Sequence, residues 1–112
     1  MPPRGTSLGI DNQASAQTNK VLAAARTGES LFVTRLIISN GATAGTVQVV
    51  ADPAGAATGL SQLFYLGINQ VIAIDYSQSA LKAPLGKAVG YTSTTVTTHS
   101  IQATGYSLPT AA

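Results

Sequence analysis

Cysteine and tryptophan are absent from this 112-residue chain. Without cysteine there is no disulfide framework, no thiolate nucleophile and no cysteine-based metal cluster. Histidine occurs once, as His99, and a lone imidazole cannot supply the three or four nitrogen and sulfur ligands that zinc usually takes. Charge is scarce as well. Only 9% of residues are Asp, Glu, Lys or Arg, against roughly 25% in an ordinary soluble domain. The six basic residues (Arg4, Lys20, Arg26, Arg35, Lys82, Lys87) form no run, and a net charge of +2 is too small to draw nucleic acid. Long apolar runs are missing too. LFYL at 63–66 falls far short of the ~20 residues that span a bilayer. The opening MPPRGTSLGI lacks the apolar stretch of a secretory signal.

What is present is apolar and small. Hydrophobic residues make up 45% of the chain, and mean hydropathy is +0.24. A domain of this length buries roughly two-thirds of the surface that its unfolded chain exposes. The exterior must therefore be built largely from Thr, Ser, Gln, Asn, Gly and Ala. So few charges protect a monomer poorly against association, and depletion of charge marks the cores of interfaces. The composition predicts a surface covered by copies of the chain or by another protein.

Residues 1–19 have no sustained periodicity and two early prolines, which predicts an extended N-terminal arm carrying Leu8 and Ile10. From residue 20 to 112 short apolar segments alternate with turn residues: 20–26, 31–39, 46–51, 60–68, 71–76, 87–93 and 96–108. In 31–39, strict alternation would place Phe32, Thr34, Leu36 and Ile38 on one face and Leu31, Val33, Arg35 and Ile37 on the other. Both faces are largely apolar, so this strand is expected to be covered on both sides. The Asn-Gly of NGATAG and the Asp-Pro of DPAGAATG mark turns. The spacing predicts an all-β, two-sheet antiparallel sandwich of about eight strands. Leu36, Ile38, Val47, Val49, Ile72, Ile74 and Ile101 are its candidate core.

No chemistry-bearing motif completes itself. GATAG and GAATG lack the Lys-Ser/Thr of a phosphate-cradling loop. Asp11-Asn12-Gln13 fails the calcium-loop pattern. No G-x-S-x-G elbow is present, and the four acids, Asp11, Glu29, Asp52 and Asp75, are each solitary. On the last strand Thr97, His99, Ile101 and Ala103 share a face. The default for His99 is a surface or inter-subunit hydrogen-bonding group. The chain is expected to be no enzyme and to hold no cofactor or metal.

Two stretches carry a family resemblance. VLAAARTGESLFVTRLIISNGATAGTVQVV is a short apolar strand, a basic turn, a long apolar strand, a Gly-Ala turn and a Val-rich strand. APLGKAVGYTSTTVTTHSIQATGYSL is a Gly-plus-charge turn, an apolar strand, a small polar tip and a last strand that runs into a Gly-Tyr pair. Together they resemble small β-sandwich virion proteins of tailed bacteriophages, of the capsid cement or decoration type. Gly86-Lys87-Ala88 departs from the Gly-Glu-Ala often found at the entry of that family's closing hairpin. The resemblance implies a jelly-roll-like fold, a homotrimer, and binding to the major capsid protein on the outer shell at capsomer junctions. It implies a virion location after assembly in the host cytoplasm, with no nucleic acid or membrane partner. Within that picture Arg4, Leu8 and Ile10 of the arm are the expected capsid contacts, and Phe64, Tyr65 and Leu66 the expected subunit interface. Alternatives are a neck, tail or fibre component, or a carbohydrate-binding attachment module.

Overall fold

A computed structural model describes residues 6–76, 78–95 and 97–109. The strands in chain order are β1 (Thr6–Gln13), β2 (Gln17–Ala23), β3 (Ser30–Asn40), β4 (Gly45–Ala51), β5 (Thr58–Gly59), β6 (Phe64–Leu66), β7 (Val71–Asp75), β8 (Leu81–Lys82), β9 (Val89–Ser93) and β10 (His99–Leu108). All pair antiparallel, in two five-stranded sheets. The first sheet runs β1-β10-β3-β7, with β8 beside β7 on the same edge of β3. The second runs β2-β9-β4-β5, with β6 beside β5 on the same edge of β4. Each sheet thus has four strand positions, and the final two long strands, β9 and β10, sit between the earlier ones. That interleaving is the order of a jelly roll. The sandwich expected from the sequence is what forms, with ten strands because two positions are each broken into two short pieces.

One break has a visible cause. The segment 60–68 was expected as a continuous strand, but the amides of both Leu60 and Ser61 donate to the Val49 carbonyl, at 2.8 and 3.1 Å. The Ser61 hydroxyl takes the Val49 amide at 3.0 Å. Two consecutive donors on one acceptor stop the ladder, and pairing resumes at Phe64.

Between the sheets lies a core of Leu31, Val33, Leu36, Ile38, Val47, Val49, Phe64, Leu66, Val89, Tyr91, Ile101 and Ala103, with Ile72 and Ile74 packed against it half-buried. This includes every expected core residue. The long strand departs from strict alternation, however. Leu31 and Val33 point inward together with Leu36 and Ile38, while Phe32 and Ile37 are only half-buried and Arg35 is exposed. The reason is a β-bulge: Thr104 pairs with Arg35 but Gly105 pairs with Val33, leaving Thr34 as the extra residue. Its hydroxyl donates to the Thr104 carbonyl at 3.1 Å. One inserted residue reverses the parity, so both apolar halves of β3 face the core.

The N-terminal segment also departs from expectation. Residues 6–13 are extended but do not project: they pair along the open edge of β10, and 17–23 pair with β9. The expected boundary at 19/20 falls inside β2. Both partners offered an unpaired row of backbone groups, and a strand of any polarity can fill one.

Candidate interaction surface

The outward face of the first sheet is built by register. Asn12, Ser100, Ser39 and Val71 form one cross-strand row, and Ile10, Gln102, Ile37 and Ala73 the next. The intervening row of Asp11, Ile101, Ile38 and Ile72 turns the other way, toward the core. The two outward rows hold no ionisable side chain. Ile10 is 61% exposed and Val71 62%. Charge returns only at the following row, where Arg35 stands opposite Asp75. Beyond it Phe32 and Tyr106 stack with centroids 5.1 Å apart, and the Lys82 ammonium lies 5.9 Å from the Phe32 ring centre.

The second sheet is partly covered by its own chain. The 52–57 turn, in which Asp52 takes φ 54 and its carbonyl accepts from Gly55 and Ala57, brings Pro53 onto Gly90. There Val50 is buried although it points away from the core. A Cβ on Gly90 would sit 2.8 Å from the Pro53 ring, so only glycine allows this cover.

The residues singled out from the sequence separate. Arg4 lies outside the described residues. Leu8 packs half-buried against the core as the extra residue of a bulge in β1, so it is a packing residue rather than a free contact. Of the two that are described, Ile10 stands on the exposed face. Of the expected interface residues, Phe64 and Leu66 are 4% and 3% exposed and belong to the core; Tyr65 between them is 75% exposed. Strand alternation makes the three residues incapable of sharing one role. Ile37, Val71 and Ala73 complete the uncharged face and were not singled out as contacts. The apolar character of both faces of 31–39 was the available signal.

His99 is buried within the single subunit, where a surface or inter-subunit hydrogen-bonding group was expected. Its Nδ1 donates to the Thr97 carbonyl at 2.8 Å, which leaves Nε2 to accept from the Ser93 hydroxyl at 2.9 Å. Ser93 in turn accepts from the Gln17 amide at 3.1 Å. The Ser–His pair has the spacing of a nucleophile and its base, but each residue is 3% exposed, so no substrate reaches it. Nearby, Tyr91 donates to Asp11 at 2.5 Å, and the Gln13 amide bridges both Asp11 oxygens at 3.0 Å. Burial, followed by the hydrogen bond to Asp11 and its charge, raises the Tyr91 phenol well above its ordinary range. These contacts tie the two sheets together at the end where β1 turns into β2.

A depression of about 340 Å³ is lined by Asp75, Tyr76, Gln78 and Ser79. Among the described residues no group of three or more His, Asp or Glu could hold a metal. No protein-family model, curated protein or solved structure matches the chain.

Proposed function

We propose that this chain is a structural virion protein of the capsid cement or decoration type. It binds the outer capsid surface at capsomer junctions as an oligomer, in the family's pattern a homotrimer, and holds the shell together. The observation that carries this reading is the pair of uncharged rows across all four positions of the first sheet, centred on Ile10, Gln102, Ile37 and Ala73. Such a face loses little on desolvation when protein covers it, because no ion has to be stripped of water. The exposed Ile10 and Val71 supply apolar area, and the Gln and Ser side chains supply adaptable hydrogen bonds. Several weak contacts made together by one oligomer gain through effective concentration.

The jelly-roll strand order and the burial of the one Ser–His pair favour a role by shape over catalysis. A carbohydrate-binding role draws less support, since Phe32 and Tyr106 already cover one face of each other's ring. The test is co-sedimentation of the purified protein with viral shells stripped of it. Wild-type protein is expected to pellet with shells, and Ile10→Lys to stay in the supernatant with its melting temperature unchanged. Failure of the wild type to pellet defeats the reading; binding to tails instead of shells moves it to the neck, tail or fibre alternative.

A further inference from the structure

We infer that β7 is a docking edge for a second copy of this chain, the two β7 strands pairing antiparallel across a two-fold axis. Sheet edges expose unpaired N–H and C=O groups, and proteins usually blunt them with bulges, charge, proline or brevity. Three of the four edge positions here are blunted. β1 carries the bulge at Leu8. β2 is irregular in two places, with Asn19 left-handed at φ 49 and Lys20 exposed. β5 and β6 are two and three residues long. The fourth edge position is shared by β7 and the two-residue β8, which carries Lys82. Over the five residues of β7 itself the register with β3 is unbroken, with no proline or lysine and with its one charge, Asp75, at the end.

The hydrogen-bond phase shows which groups are on offer. The Asn40 amide donates to the Gln70 carbonyl at 2.8 Å and the Tyr76 amide to the Thr34 carbonyl at 2.6 Å. Antiparallel pairs alternate between bonded and non-bonded. Ile72 and Ile74 therefore spend their backbone groups on β3, while Val71 and Ala73 direct N–H and C=O away from it. Among the described residues no strand pairs with that outer side.

A second copy satisfies this edge in one register without help from Asp75. A two-fold axis beside Ile72 sets Val71 opposite Ala73 of the second copy, and the reverse, giving four hydrogen bonds by symmetry. Ile72, left half-buried in the single subunit, then meets Ile72 of the second copy on the core side. The paired residues carry no charge, and a net charge of +2 per chain repels little. The uncharged rows of the first sheet continue across the axis, through Ser39–Val71 and Ile37–Ala73. The contact is isologous, which a three-fold axis cannot generate; in a trimeric protein it would join trimers in pairs.

Sedimentation equilibrium tests it. The wild type is expected to contain an even number of subunits. Ala73→Pro removes an outward amide and no β3 bond, a position at which an edge strand tolerates proline. It should weaken association by about tenfold or more with the melting temperature little changed. Because the chain has no cysteine, Ile72→Cys should form a covalent dimer on mild oxidation, as a non-hydrogen-bonded antiparallel pair has the Cα spacing of a disulfide. Val71→Cys should not, being set diagonally from its copy. A wild type of single or odd-numbered subunits, a mass that survives Ala73→Pro, or cross-linking at residue 71 and not 72 overturns the inference. Capsid binding is read separately: an even-numbered oligomer that ignores shells keeps this contact and defeats the virion reading.

Discussion

The Tyr91 hydroxyl lies 2.5 Å from Asp11 Oδ2, joining β9 in one sheet to β1 in the other. Tyr91 is fully buried, and Asp11 reaches in from an edge strand. The bond therefore fastens the N-terminal strand to the interior. Its acceptor is a carboxylate, which makes it one of the stronger kind.

Tyr91→Phe keeps the ring and removes this bond. The expected loss is about 1.5–3 kcal/mol of unfolding free energy, read from urea midpoints at pH 7. The alkaline limb changes too. The folded phenol is raised above its ordinary value of 10.0 by burial and by Asp11. A folded-state value above the unfolded one contributes stability that is complete below pH ~10 and is lost as pH rises beyond it. The variant should show a shallower loss between pH 9 and 11. Tyr76, also raised by burial, keeps part of the slope in both proteins.

Gly105→Ala tests the crowding around the β3 bulge. A Cβ there would run into the Phe32 carbonyl and come within 3.0 Å of Leu8 Cδ1. Backbone cannot yield as a flexible side chain does. A destabilisation of about 3 kcal/mol or more is expected, measured by thermal unfolding. Gly28→Ala is a useful contrast: its added Cβ meets nothing within 4 Å, and its cost arises only from φ 76. It should lose about 1 kcal/mol.

Phe64 and Tyr65 are neighbours with opposite expectations. Phe64→Ala empties a core site and should cost about 3–5 kcal/mol. Tyr65→Ser, at 75% exposure, should leave stability within about 0.5 kcal/mol. If Tyr65 contributes to the contact between subunits, its replacement lowers the mass seen in light scattering, and Phe64→Ala shifts the melting temperature instead.

The candidate face was partly legible in the sequence. Ile10 stood out because an isoleucine in a polar segment has few reasons to be there. Both sides of 31–39 were visibly apolar, so cover on its outer side was foreseeable. Val71 and Ala73 were placed in a strand, but their outward direction was not fixed, because it follows from pairing with β3 beyond the bulge. Leu8, Phe64 and Leu66 have the apolar character of a contact. That character serves a core equally well, and only the sheet to which each belongs tells the two apart.

By itself the sequence determined the fold class and most of the core. Short β-branched segments, punctuated by Asn-Gly, Asp-Pro and Gly, leave a chain without cysteine few ways to bury its apolar residues other than two stacked sheets. Period-two alternation likewise fixed His99, Ile101 and Ala103 on one face. Tertiary structure alone decided where alternation breaks. The bulges at Leu8 and Thr34 flank β10 on either side, and each sits beside a glycine, Gly9 or Gly105, whose added Cβ would run into backbone of another strand. It also decided that 6–13 is a strand, since TSLGIDNQ carries no sustained alternation of its own. What orders it is the unpaired backbone row of β10, made by a segment some ninety residues further along the chain.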